Sequence, residues 1–441
     1  MKRAKQGTRM SGERPQPDQS RRMLDRKRMM RTLIRAALSA LILSSVPEAY
    51  CQQFALRDGD RVVFYGDSIT AQRLYTRFVE DAVLTRYPQL HVDFWNAGIP
   101  GDTAYGGYTG DVATRLKRDL FPHQPTVITV MLGMNDGYYM DFNQKYLDIF
   151  KEGCRKLNAA IELGAPAARI TLISPTPYDE ITHGTEFAHY NEVVSRHAGF
   201  VRELAASSHF GFSDFNSAVT AVLNSGRQKD PSLSALLVPD RIHPAEATNW
   251  QMAATLLRSW GISSIVSDVS IDATAGKTAA LQNTQVTGLS WKNGSLQWMQ
   301  TDEALPLPLS LDNKMDQFVL GISDLSAIDR QMLRVAGLQA YRYRLKIDGH
   351  EVVSQSREQW ETGVNLALYA TPMHGQAMGV DSIEQKRTKL DEARFILFIE
   401  SPALTDEAGA MKAIDEKDSA LAAEQRKAAQ PKTHQFELSP E

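Results

Sequence analysis

From Arg61 onward, short runs of apolar, β-branched or aromatic residues alternate with longer amphipathic stretches. This is the pattern of a parallel sheet whose strands are joined by crossover helices. Runs at 62–65, 92–96, 127–132 and 170–173, with a weaker one at 210–212, predict strands. The stretches between them predict helices at about 71–87, 111–119, 143–163, 187–206 and 246–259. The expected architecture is an α/β fold, a three-layer α/β/α sandwich with a mainly parallel five-stranded sheet.

Beyond about Ser264 the texture changes. Asn293-Gly294 and Asp348-Gly349 each stand between alternating apolar runs, a strong hairpin signal. A charged helix is expected over 381–394. From Leu404 to Glu441 the chain is rich in Ala, Lys, Glu and Gln with almost no aromatics, which predicts a charged tail, helical or disordered.

A length of 441 residues exceeds one ordinary domain. The expected division is an N-terminal extension at 1–51, a first domain at 56–263, a smaller mixed region of hairpins and helices at 265–400, and the tail at 404–441. Hydrophobic residues make up 43% and charged residues 23%, as in ordinary globular proteins. The net charge of −3 is uneven: residues 1–51 carry a positive excess of eight, leaving the rest acidic at −11. That leaves no broad basic face for phosphate backbones, so nucleic acid is not an expected partner.

In the same N-terminal stretch, Arg31 and Arg35 flank an apolar run at 36–46, followed by Glu48-Ala49-Tyr50-Cys51. The pattern reads as an export signal, and the run is too short to span a membrane. A secreted or periplasmic protein with no stable membrane span in its mature chain is expected, and a short polar arm is the alternative. With only Cys51 and Cys154 there is no disulfide framework.

Candidate chemistry gathers at predicted strand ends, where open parallel sheets bind their ligands. Gly66-Asp67-Ser68 follows the first strand, Asn96-Ala97-Gly98 the second and Gly133-Met134-Asn135-Asp136 the third, while Asp240-Arg241-Ile242-His243 opens the last helix. Taken singly, each has a plain reading: Asp67 and Ser68 as helix caps, Asp240 as a cap before His243, Asn135 as a turn residue. Their coincidence at one sheet edge favours a shared site.

This ordered set of blocks resembles the SGNH/GDSL hydrolase superfamily over roughly residues 60–262. The resemblance implies a flavodoxin-like sheet and a serine ester hydrolase without cofactor. It makes Ser68 the nucleophile, His243 the base and Asp240 the group that orients it. The backbone N–H groups of Ser68 and Gly98 and the Asn135 amide become oxyanion donors. Ile69 replaces the family's usual leucine. The surroundings of Ser68 do not fit the Gly-x-Ser-x-Gly elbow of α/β-hydrolases.

Residue type agrees with that role. A serine hydroxyl needs an adjacent base, an imidazole titrates near neutral pH, and a carboxylate fixes its tautomer. By the ordinary worth of such donors, losing Asn135 costs about 10²–10³ in turnover. Asp67 and Asp136 read as supports that aim Ser68 and Asn135, while Asp102 and Thr103 read as turn residues that can line the pocket. His183, His189 and His197 match no metal spacing, so surface or loop positions and no metal are expected. Tyr138, Tyr139 and Tyr178 can wall a sugar or acyl group, or simply pack.

The leading expectation is hydrolysis of an oxygen ester, in particular O-deacetylation of a carbohydrate outside the cytoplasm. Lysophospholipids, thioesters and transfer to acceptors other than water stay open. The alternative from another class is a carbohydrate-binding protein that grips a polymer through Trp291, Trp298 and Trp360 in the 265–400 region.

Overall fold

The computed structural model describes residues 54–182, 189–397 and 407–441, with only the backbone described at Glu407 and Ala408. The expected export signal, Cys51 and His183 lie outside the described residues. Five strands, β1 Arg61–Gly66, β2 Asp93–Gly98, β3 Val127–Met131, β4 Arg169–Ile173 and β5 Gly211–Ser213, form one sheet in the order β2-β1-β3-β4-β5. Every pairing in it is parallel. This is the doubly wound, flavodoxin-like order, and β1 and β3 lie at its switch point.

Helices close both faces: α1 Ser68–Ala71, α2 Leu74–Arg86, α3 Gln144–Gly164, α4 Tyr190–Ser208, α5 Phe215–Lys229 and α6 Glu246–Ser259. Alternation along β1 decides which face each residue feeds. Val62 and Phe64 pack with Phe78 of α2 and Trp250 of α6, whose rings stack at 3.8 Å. Val63 and Tyr65 face the other way, toward Phe150 of α3 and Phe200 of α4. Helix α5 was not read from the pattern, yet its Phe215, Val219, Val222 and Leu223 recur at helical spacing and are all buried.

The C-terminal region holds two more sheets. Strands β6 Ile265–Asp272, β7 Lys277–Gln282, β8 Thr284–Lys292, β9 Ser295–Asp302, β10 Arg330–Ala336, β11 Arg342–Ile347, β12 His350–Ser356, β13 Val364–Asn365 and β14 Thr433–Pro440 assemble in the orders β13-β10-β6-β7 and β8-β9-β14-β11-β12. Both expected hairpins are present. Asn293 and Gly294, like Asp348 and Gly349, adopt left-handed φ values of 50° and 81°, as two-residue hairpin turns require.

Two helices, α7 Pro372–Phe395 and α8 Glu407–Ala428, complete the fold. Leu307, Leu309 and Phe318 join the same core as Phe78 and Trp250, so the chain after the β8–β9 hairpin packs directly on the parallel-sheet layer.

The expected tail is helical over Glu407–Ala428, but its end needs correction. Residues 433–440 form β14, in the middle of a five-stranded sheet between β9 and β11. His434, Phe436 and Leu438 alternate inward and are buried, so period-two burial governs this segment rather than its charged composition. The tryptophan expectation also changes. Trp298 and Trp360 are core residues, and only Trp291 is exposed, at 43%, with its Nε1–H donating to the Ala273 carbonyl at 2.9 Å. Among the described residues no helix is long and apolar enough to cross a membrane.

Candidate active site

The turn from β1 into α1 requires Gly66, because a Cβ there would lie 2.2 Å from Thr70 Oγ1 and 2.8 Å from the Met131 carbonyl. Asp67 takes the cap, its Oδ1 accepting from the Ile69 N–H at 3.0 Å. Capping therefore falls to Asp67 and leaves the Ser68 hydroxyl for another partner. That partner is His243, whose Nε2 lies 2.9 Å from Ser68 Oγ.

On the far side of the imidazole, Nδ1 lies 2.6 Å from Asp240 Oδ2. The short loop that makes this possible passes through Arg241 at φ 72°. Asp240 Oδ1 accepts from the backbone N–H groups of Ile242 at 3.0 Å and His243 at 2.7 Å. Partial burial pushes the Asp240 carboxyl up, but these donors and the imidazole outweigh it and hold the group below the usual carboxylate range. An ionised Asp240 accepts a hydrogen bond from Nδ1–H, which keeps the proton on Nδ1 and leaves the Nε2 lone pair facing the serine hydroxyl. The ring keeps 26% exposure and Asp240 52%, so this hydrogen-bonded chain lies at the protein surface.

Asn135 is held from both ends. Its Nδ2 donates to the Asp102 carbonyl at 2.9 Å, and its Oδ1 accepts from the Tyr139 hydroxyl at 2.9 Å. One N–H of the amide remains for a ligand. Tyr138 and Tyr139 both adopt left-handed φ, 54° and 56°, a strained pair of non-glycine residues that swings the Tyr139 ring onto Asn135. Nothing local in the sequence announces that bond. Tyr178 packs in the core edge-on to Tyr190, whereas Tyr138 is 56% exposed.

Gly98 does not fit the donor role expected of it. Its N–H already donates to Asn96 Oδ1 at 3.0 Å, and a Cβ there would come within 2.3 Å of the Ala71 nitrogen. The glycine is needed for close packing of β2 against α1. Three residues on, Gly101 adopts φ 74°, and among the described residues its N–H has no partner. It immediately precedes Asp102, whose carbonyl holds Asn135. Asn96, which the sequence pattern marks only as a turn neighbour of Gly98, has a structural role. Its Nδ2 donates to the Thr70 carbonyl at 2.8 Å and to Thr76 Oγ1 at 3.0 Å, tying β2 to the serine turn.

Beneath these loops lie three buried carboxyls. Asp136 Oδ1 accepts from the Ala104 N–H at 2.8 Å. Asp102, expected in a turn, is fully buried and paired with Arg115, which also donates to the Ala97 carbonyl at 2.5 Å. Arg115 was not read from the sequence: nothing at that spacing marks a buried arginine. Burial, reinforced by mutual repulsion, pushes Asp67 and Asp136 up to about 7; burial likewise lifts Asp102 to about 6 against the pull of Arg115.

These carboxyls hold protons more tightly in the folded chain than in the unfolded one, where they titrate near about 3.9. The native state therefore binds more protons between about pH 4 and 7, and stability falls as pH rises through that window. Asp136→Asn is expected to flatten the decline in melting temperature between pH 5 and 8. Parallel curves for the two proteins would show that Asp136 does not carry the effect.

His197 corrects another expectation. It is fully buried, with Nδ1 2.8 Å from the Gly133 carbonyl, and burial lowers it to about 4. It is a neutral prop beneath the loop that carries Asn135. His189 is exposed, as expected.

A doubly wound sheet with a Ser-His-Asp chain at its carboxyl edge defines a serine ester hydrolase. Residues 64–250 match the GDSL-like Lipase/Acylhydrolase family, so this part of the chain is an ester hydrolase domain of the SGNH type. An acetylxylan esterase of Geobacillus stearothermophilus is 25% identical over 224 residues, covering 46% of this chain and 94% of that protein. Among solved structures, a gut microbial diltiazem-metabolizing enzyme matches with a TM-score of 0.75 and 25% identity, over 88% of this chain and 98% of its own. That likeness runs through the C-terminal sheets. The crystal structure of an acetylxylan esterase from Geobacillus stearothermophilus matches at a TM-score of 0.39 and 23% identity, over 47% of this chain and 96% of its own.

Proposed function

We propose that the protein removes acetyl groups from a carbohydrate outside the cytoplasm, with Ser68 as nucleophile, His243 as general base and Asp240 as its orienting carboxylate. The observation that carries this reading is the unbroken chain Asp240 Oδ2, His243 Nδ1 and Nε2, Ser68 Oγ, at 2.6 and 2.9 Å. His243 Nε2 takes the hydroxyl proton as Oγ attacks the ester carbonyl, and returns it to the departing alcohol. The carbonyl oxygen becomes negative and meets the Ser68 N–H, the free Asn135 amide N–H and the Gly101 N–H, which replaces Gly98 in this role. Water then attacks the acetyl-enzyme through the same base and releases acetate.

Two observations support a short acyl group on a bulky alcohol. The partly exposed His243 and the exposed Asp240 leave the alcohol side of the ester in solvent, where a sugar chain fits without a closed pocket. The acetylxylan esterase relative supports the acetyl and carbohydrate parts. Export rests on the N-terminal pattern alone.

The test compares acetylated xylo-oligosaccharides with para-nitrophenyl acetate, butyrate and octanoate. Acetate release from the oligosaccharides and a fall in kcat/KM of about tenfold or more from acetate to octanoate are expected. A preference for octanoate would sink the deacetylase reading and move lysophospholipids forward.

A further inference from the structure

The turn that follows Ser68 and the helix that follows His243 are tied to residues far along the chain. Ser68 opens α1, a helix of only four residues, which has no stability of its own. The chain then turns into α2 through Arg73, a non-glycine residue held at φ 63°. His243 stands three residues before α6. Between the two, Arg77 on the first turn of α2 reaches in two directions. Its Nη2 donates to Glu246 Oε1, on the first residue of α6, at 2.5 Å. Its Nε lies 3.2 Å from Asp381 Oδ1 on α7, in a buried ion pair set by charge rather than by hydrogen-bond direction. Arg73, at the joint itself, pairs with Asp391 of the same α7.

Helix α7 therefore holds one arginine at the turn behind the serine and a second that bridges to the helix behind the histidine. We infer that α7 is a positioning element of the hydrolase site: Asp391 through Arg73, and Asp381 through Arg77 and Glu246, keep the serine turn and the histidine loop at hydrogen-bonding distance. The inference rests on the reading of Ser68 and His243 as nucleophile and base. The ion pairs have more than bulk to do here. A left-handed arginine is a strained conformation, and a tether at its guanidinium opposes relaxation of the joint. Burial also makes Asp381 the nearest compensation for the Arg77 charge on the side away from solvent.

The test uses the full chain carrying Asp381→Asn, Asp391→Asn, Asp391→Glu or Glu246→Gln. The Glu246 side chain is 60% exposed, so its replacement does not threaten folding. For each protein the readouts are kcat and KM on para-nitrophenyl acetate, the rate of Ser68 labelling by a fluorophosphonate, and the melting temperature. In the two Asn variants and Glu246→Gln, kcat and labelling rate fall about tenfold with KM within about twofold, measured well below each melting temperature, because small misplacements of reacting groups are costly. Asp391→Glu recovers most of the loss. Unchanged kcat and labelling in Glu246→Gln and the Asn variants, or losses that merely follow the unfolded fraction, overturn the inference. An unlabelled wild-type Ser68 instead removes the catalytic reading beneath it, an outcome that these variants cannot imitate.

Discussion

Ser68→Ala is expected to lower kcat on para-nitrophenyl acetate by about 10⁴–10⁶ and to abolish fluorophosphonate labelling, with the melting temperature nearly unchanged. The substitution removes one oxygen, whose partner is His243 Nε2 at 2.9 Å. The helix cap is untouched because it belongs to Asp67, and the backbone N–H at position 68 stays in place. Binding and the remaining oxyanion donors persist, so a small residual rate over water is expected. Activity within tenfold of wild type would falsify the nucleophile assignment, since the His243 imidazole left without the hydroxyl attacks an activated ester only slowly.

The second large effect concerns stability. Removing residues 431–441 is expected to lower the melting temperature by more than about 10 °C, or to prevent folding of the C-terminal sheets altogether. The deletion takes out β14, which pairs with β9 from Thr433 to Leu438 and with β11 from Phe436 to Pro440. Phe436 stacks on Trp298 at 5.2 Å, and both Phe436 and Leu438 are fully buried. Losing such side chains costs about 3–5 kcal/mol each, before the opened ladders are counted. Tryptophan emission shifted to the red and rapid proteolysis near Trp298 would register the loss. A truncated protein with native melting and emission would show that the segment is a dispensable tail after all.

The parallel-sheet half was legible because its strands are buried on both faces and so appear as continuous apolar runs between long amphipathic stretches. Their carboxyl ends then locate Ser68, Asn135 and the Asp240–His243 loop with no knowledge of side-chain contacts. The strand-end pattern points to Gly98 and does not single out Gly101. Both glycines occupy one turn three residues apart, and only the Asn96 side chain, folding back on the Gly98 N–H, separates packing from donation. The burial of Arg115 and His197 escaped for a related reason: His197 binds the Gly133 carbonyl, and Arg115 joins the Ala97 carbonyl to Asp102, thirteen residues away, a pairing that leaves no mark on composition. Residues 433–440 did carry a signal, the alternation of His434, Phe436 and Leu438. It was masked by the charged helix before it.

The position of β14 also sets an order of events during folding. The hairpins β8–β9 and β11–β12 are local and can form within microseconds of their own synthesis. The strand that separates them arrives more than a hundred residues after β9. Until it docks, the inner edges of both hairpins offer unpaired backbone to each other and to neighbouring chains. Closing a contact of such sequence separation is slow. The hydrolase layer, whose strands follow one another closely, can consolidate first. Refolding is then expected to show a fast phase in the parallel sheet and a slow, concentration-sensitive one in the C-terminal half, where a wrong pairing between waiting hairpins must be undone before the protein is complete.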